Sequence, residues 1–207
     1  MLHVELLYLF AFFRHEVTDM QNIMCSDQTR LELLKNTGAL KDGHFMLTSG
    51  KHCAQYLQIS HLFEDPKATG EVCNILAKAF EEDKIDIVIG PAIGGIIVAY
   101  ELARVLGVKA IFSERSGGSM KLRRGFSIKP GQRVLIAEDE ITTGGSIREV
   151  AALVESFGGE VVGVASVINH GNERPPIKYK KESFVILHTE SYEPEDCPLC
   201  KAGIPLE

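Results

Sequence analysis

Five apolar, β-rich runs separated by helix-length amphipathic stretches constrain this chain more than any other feature. The runs are "IDIVIG" (85–90), "KAIFSER" (109–115), "RVLIAED" (133–139), "VVGVASVIN" (161–169) and "SFVILHT" (183–189). Short runs without polar alternation are what strands look like when both faces of a parallel sheet are covered. The segments starting at Asp65, Gly94 and Gly145 carry apolar residues at helical spacing, as in Val72, Ile75, Leu76, Ala79 and Phe80. Alternation of this kind predicts an α/β fold, a central and mostly parallel sheet flanked by helices, joined by right-handed crossovers. Ligands of such sheets sit beyond the carboxyl ends of the strands.

Punctuation supports the division. Asp65 suits a helix cap and Pro66 the first helical position, while Gly107 closes the next helix. Ahead of Asp65, "CSDQTRLELLKNTGAL" reads as a short helix capped by Ser26 or Asp27 and stopped at Gly38. "KDGHFMLTSGKHCAQYLQI" then reads as two small strands outside the main sheet. The expected parts are an N-terminal extension (1–25), a small N-terminal unit (26–64), a core (65–190) and a tail carrying "CPLC" (191–207).

A net charge of -6 argues against a general nucleic-acid binder, because phosphate neutralisation needs a basic face. The five cysteines lack framework spacing, which points to a reduced, cytoplasmic setting. The apolar run "LLYLFAFF" (6–13) falls short of the roughly 20 residues that span a bilayer. Glu5 and the following Arg14 and His15 do not suit a signal peptide, so no membrane partner and no export are expected. Residues 1–20 read as a terminal extension or as sequence upstream of a start at Met20 or Met24, with a hydrophobic interface patch as the rival reading.

"VLIAEDEITTGGS" (134–146) drives an apolar strand into three carboxylates and a glycine and hydroxyl loop. Ionised Glu138 and Asp139 suit a vicinal diol if the chain leaves the strand there and lets both side chains face one ligand. Thr142, Thr143, Gly144, Gly145 and Ser146 precede a helix, where hydroxyls and free amides converge on an anion. Diol grip and phosphate cradle together describe a ribose 5-phosphate; the bland alternative is a capped strand-to-helix connection. One unit earlier, Ala92, Ile93, Gly94 and Gly95 form a second turn whose amides would face a diphosphate. Between the two, "ERSGGSMKLRRGFSIKPG" (114–131) gathers Arg115, Lys121, Arg123 and Arg124 on an otherwise acidic chain. It reads as a lid closing on a polyanion with Gly117 and Gly118 as hinges, or as a solvated hairpin.

The acidic doublet and its loop resemble the signature of the type I phosphoribosyltransferases. In that family the acids hold the ribose hydroxyls of phosphoribosyl pyrophosphate and the loop holds its 5-phosphate. The "TTGGSIRE", "GHFMLTSGKHCAQYLQ" and "CPLC" stretches narrow the resemblance to the orotate phosphoribosyltransferases, from about Thr29 to the C-terminus. The resemblance implies displacement of pyrophosphate by N1 of orotate, with Mg²⁺ held mainly by substrate oxygens. It also implies a homodimer, and it makes residues 26–64 a hood whose Ser49, Gly50 and Lys51 lie over the base, with Phe45 and Tyr56 nearby. Lys51 reads equally as a surface turn lysine. Thr48 stands where better-known members have lysine, and the loop lacks their histidine. Lys121, Arg115 and Arg123, in that order, are the candidates to protonate the leaving group, with Asp139 also placed in the catalytic set. Arg148 is expected to pair with the orotate carboxylate or else to be a solvated helix arginine. No residue is assigned as a metal ligand. Cys197 and Cys200 offer half a zinc site, against the reading of an incidental tail.

Two alternatives stand beside this expectation. A purine-type phosphoribosyltransferase would have no carboxylate for Arg148 to meet. A regulator that senses phosphoribosyl pyrophosphate and binds nucleic acid would need a coherent basic face.

Overall fold

In the computed structural model, which describes residues 27–207, helix α1 (27–36) leads into the hairpin of β1 (Leu40–Met46) and β2 (His52–Leu57). A short α2 (Ser60–Phe63) and the longer α3 (Pro66–Lys78) follow. The core then alternates: β3 (Ile87–Pro91), α4 (Gly94–Leu106), β4 (Lys109–Ser116), β5 (Ser119–Leu122), β6 (Arg133–Ile141), α5 (Gly145–Ser156), β7 (Glu160–Asn169) and β8 (Lys181–Ile186). The chain ends with β9 (Ser191–Tyr192) and the single turn α6 (Pro198–Lys201). The N-terminal extension, including the apolar run at 6–13, lies outside the described residues.

The caps act as their residue types require. The Asp65 carboxylate accepts from the N–H groups of Lys67 at 2.9 Å and Ala68 at 3.2 Å, satisfying two donors that have no acceptor within α3. Gly107 ends α4 at φ 70°, a left-handed conformation that costs glycine little.

The main sheet has the order β5-β4-β3-β6-β7-β8, parallel except for the antiparallel β4–β5 pair. Alternate residues serve opposite faces. Val88, Leu135 and Ala137 pack with Val72 and Leu76 of α3 and with Val98 and Leu102 of α4. Ile87, Ile89, Val134 and Ile136 pack with Ile147, Val150 and Val154 of α5. Both faces are thus covered, which is why the strand sequences are apolar throughout.

From β3 the chain crosses to β4 on one side, yet β6 returns to the other side of β3. The strand order therefore reverses between β3 and β6, opening a crevice at their carboxyl ends.

Two segments differ from the sequence expectation. Residues 119–122, read as part of a lid, form β5, paired with β4 from Ser113↔Leu122 to Ser116↔Ser119. Met120 is buried and Leu122 packs beside it on the α5 face, an alternation hidden among the charges. Gly117 and Gly118, both at positive φ (61° and 83°), are the two central residues of the tight hairpin turn. At the other end, β9 pairs with β2 through His52↔Tyr192 and Cys53↔Ser191, completing a sheet β1-β2-β9. The Glu207 N–H also donates to His44 O at 2.9 Å. Residues 191–207 therefore pack with the hood instead of trailing from the core. Among the described residues, no helix is long and apolar enough to cross a membrane.

Candidate active site

At the strand-order reversal, β3 and β6 each run into a tight turn and a helix. Both helices start without a side-chain cap: Ile93 precedes α4 and Gly144 precedes α5. The amides of their first turns have no acceptor within the helix, and the helix dipole adds partial positive charge at both places. Gly144, at φ 72°, is itself buried, and a Cβ there would come within 3.0 Å of Arg148 Nη1. The turn after β6 bounds a cavity of about 210 Å³ lined by Glu138, Glu140, Thr142, Thr143, Gly144, Gly145 and Ser146, with Arg115 and Glu149 on its rim.

The acidic doublet joins the two turns. Although β6 continues through Ile141, both carboxyl groups meet the first turn of α4. A Cβ on Gly94 would overlap the Asp139 carboxylate, and a Cβ on Gly95 would lie 3.0 Å from Glu138 Oε1. Only glycines let the helix start come so close. Glu138 is 6% exposed, and burial first, then the hydrogen bond and charge of Asp139, push its carboxyl up to about 9. At neutral pH Glu138 therefore carries a proton. The Asp139 N–H lies 3.3 Å from Glu138 Oε1, and the Glu140 N–H donates to Asp139 Oδ1 at 3.0 Å.

Not every expected residue reaches this place. The Ala92 N–H donates to Ser113 O at 2.8 Å, prolonging the β3–β4 pairing, so it is not offered to an anion. That leaves the turn at Ile93, Gly94 and Gly95. Arg148 also departs from expectation. Its Nη1 donates to Pro175 O at 2.9 Å and its Nη2 to Thr143 O at 2.9 Å and Arg174 O at 3.3 Å. The guanidinium is engaged by backbone carbonyls, and it ties the turn after β6 to residues 174 and 175.

Within the basic hairpin, Arg115 pairs with Glu149 of α5 at 2.8 Å and donates to Gly118 O at 3.1 Å. The Glu149 hydrogen bond pushes the guanidinium pKa still higher, which suits a fixed positive charge and not a proton donor. Arg124 is held by Glu114 through two hydrogen bonds of 2.8 and 3.0 Å. Lys121 and Arg123 are exposed, and among the described residues Lys121 takes part in no ion pair. In the hood, Phe45 is buried against Tyr56 with ring centroids 5.4 Å apart, and Lys51 pairs with Glu193 at 2.9 Å. Neither Phe45 nor Lys51 lines the cavity behind β6.

The sequence reading missed His170. It follows β7, the neighbour of β6, and its Nε2 meets Oε1 of Glu140, a cavity-lining residue, at 2.7 Å. A polar residue ending an apolar strand beside the acidic stretch is the signal that would have flagged it.

Comparison with known proteins agrees with this geometry. The phosphoribosyl transferase domain family matches residues 58–199. An orotate phosphoribosyltransferase of Thermoanaerobacter sp. is 51% identical over 176 residues, covering 85% of this chain and 93% of its own. The crystal structure of orotate phosphoribosyltransferase from Aeropyrum pernix superposes with a TM-score of 0.65 at 25% identity, covering 75% of this chain and 92% of that one. An adenine phosphoribosyltransferase from Rhodothermus marinus superposes nearly as well, with a TM-score of 0.63 at 26% identity over 77% of this chain and 99% of that one. Fold alone does not separate orotate from purine enzymes, whereas sequence identity does. The chain belongs to the phosphoribosyl transferase domain family and, within it, to the orotate phosphoribosyltransferases.

Proposed function

We propose that this protein transfers the ribose 5-phosphate of phosphoribosyl pyrophosphate to N1 of orotate, giving orotidine 5′-monophosphate and pyrophosphate. The observation that carries the reading is the meeting of Glu138 and Asp139 with the uncapped start of α4, one strand away from the uncapped start of α5. A sugar with anions at both ends matches that spacing of two anion sites around a diol grip.

In this reading the amides of Gly145, Ser146 and Ile147 and the hydroxyls of Thr142 and Thr143 hold the 5-phosphate. The amides of Ile93, Gly94 and Gly95 face the diphosphate. Asp139 accepts from a ribose hydroxyl, and the protonated Glu138 keeps the doublet from carrying two adjacent negative charges. Holding the sugar at both ends aligns C1 with the incoming base. Negative charge growing on the leaving group is met by Arg115, fixed by Glu149, and by Lys121, which is also the first choice for returning a proton to it. With Arg148 engaged elsewhere, Lys51 is the candidate cation for the orotate carboxylate.

The donor atoms around the doublet are carboxylate and hydroxyl oxygens, which fit a hard dication such as Mg²⁺. Glu138 and Asp139 would hold it through the ribose hydroxyls, and when bound it supplies charge neutralisation at the diphosphate. A homodimer is part of the proposal, supported by Ile93 at the start of α4 and Ile97 and Tyr100 within it, which are 83%, 41% and 67% exposed. Four free cysteines among the described residues accord with a cytoplasmic setting.

The test mixes purified protein, Mg²⁺, phosphoribosyl pyrophosphate and orotate and follows loss of orotate absorbance, with adenine, guanine, xanthine and uracil in parallel. Turnover of orotate alone is expected. Brisk turnover of a purine without orotate turnover would move the assignment to the purine enzymes.

A further inference from the structure

Away from the reaction cleft, the hood brings together four side chains from two distant stretches of chain. His44 of β1, His52 of β2, and Cys197 and Cys200 at α6 each point one donor atom inward, and these atoms all lie within 4.8 Å of one another. His44, His52 and Cys197 are 1%, 5% and 0% exposed, while Cys200 remains open to solvent. We infer that these four residues form a tetrahedral site for zinc or a similar transition-metal dication, fastening the β1–β2 hairpin to the C-terminal segment.

Four of the six donor separations can be set against the edges of a metal cage. Bonds of about 2.3 Å to sulfur and about 2.05 Å to nitrogen give tetrahedral edges of about 3.3 Å for N···N and about 3.6 Å for N···S. Here His44 Nε2 and His52 Nδ1 are 3.0 Å apart. The N···S distances are 3.5 Å from His44 Nε2 to Cys197 Sγ, 3.8 Å from His44 Nε2 to Cys200 Sγ, and 3.3 Å from His52 Nδ1 to Cys200 Sγ. Each lies within a few tenths of an ångström of the ideal edge.

The surroundings prepare the ligands as well. His44 Nδ1 lies 2.7 Å from Ile204 O, a partner that can only accept, so Nδ1 carries the hydrogen and Nε2 turns its lone pair to the cluster. A backbone carbonyl fixing the outer nitrogen in this way is the usual support of a metal-bound imidazole. Two thiolates and two neutral imidazoles balance a dication, so the filled site would be neutral and its burial inexpensive. Softness of the thiolates favours zinc over the Mg²⁺ proposed at the cleft. The open side at Cys200 gives an entry path. The sequence offered the cysteine pair in "CPLC" but not its partners, because His44 and His52 are brought to it by the pairing of β2 with β9 and by the contacts of Ile204 and Glu207 with β1, and not by any local spacing.

The experiment measures metal in full-length protein purified under reductant without added metal, by plasma mass spectrometry. Close to one zinc per chain is expected. Exchange for Co²⁺ should give the visible bands of a tetrahedral ion and near-ultraviolet thiolate-to-cobalt charge transfer. Cys200→Ser and His52→Gln should each lower metal affinity at least tenfold, whereas Cys73→Ser should leave it unchanged. Alkylation mapping provides a second readout that needs no variant: Cys200 should react slowly despite its exposure and become fast after chelation with phenanthroline. A metal-free protein whose reduced thiols give no cobalt bands, or full metal content in both Cys200→Ser and His52→Gln, would overturn the site. None of these readouts uses orotate turnover, so the outcome is independent of the proposed reaction.

Discussion

The Asp139 carboxylate occupies the space that a side chain on Gly94 would fill. This contact ties the end of β6 to the start of α4 and makes one glycine a condition of the whole site. Gly94 is not at positive φ, so alanine there fits the backbone, and alanine is the better helix former. Gly94→Ala should therefore fold, yet displace Asp139 and lower kcat/KM for phosphoribosyl pyrophosphate at least about tenfold, a transition-state loss of about 1.4 kcal/mol. Unchanged kinetics in a folded variant would remove Asp139 from the sugar site.

Asp139→Asn keeps the shape and removes the charge. A charge-assisted hydrogen bond contributes about 1.5–3 kcal/mol, so binding of the sugar donor should weaken roughly tenfold to a hundredfold. Calorimetric titration checks this directly, and the melting temperature should stay within a few degrees of the parent.

Glu138 predicts a pH signature in stability. Its carboxyl is raised to about 9 in the fold, against an ordinary value of 4.5. Between these values the folded state holds a proton that the unfolded chain releases, so stability falls as pH rises, by up to about 1.4 kcal/mol per pH unit. Glu138→Gln removes that slope. Denaturant unfolding at pH 6, 7 and 8 should show the variant gaining on the parent toward pH 8 while losing activity. Parallel pH dependence in both proteins would contradict a buried, protonated Glu138.

Arg148 ties the turn after β6 to residues 174 and 175 through Thr143, Arg174 and Pro175. Arg148→Ala should cost about 1–3 kcal/mol of stability and weaken phosphoribosyl pyrophosphate more than orotate. A selective rise in KM for orotate would instead return Arg148 to the base site.

The stripe of Ile93, Ile97 and Tyr100 gives the last prediction. In the proposed homodimer Tyr100→Asp should shift the protein toward monomer in analytical ultracentrifugation, because an unpaired charge would be buried in the apolar stripe.

Sequence made the core legible where one physical rule dominated. Continuous apolar runs located β3, β6 and β7, and Asp65, Pro66 and Gly107 marked helix ends by local chemistry alone. Strand β5 was obscured because Lys121 stands between Met120 and Leu122 in a segment dominated by cations. Strand β9 has two residues, too few for any periodicity. At the site, Gly94, Gly95, Glu138 and Asp139 were readable because glycine and carboxylate have few other uses at a strand-to-helix turn. The commitments of Ala92 and Arg148 depend on Ser113, Arg174 and Pro175, partners that no local pattern announces.

Pairing of His52 with Tyr192 carries a consequence for how the protein is made. The hood begins near the start of the described chain but lacks its third strand until Ser191 and Tyr192 have been synthesised. On the ribosome the α/β core can assemble while β1 and β2 wait as an incomplete hairpin, and the hood is finished only after translation delivers the C-terminal segment.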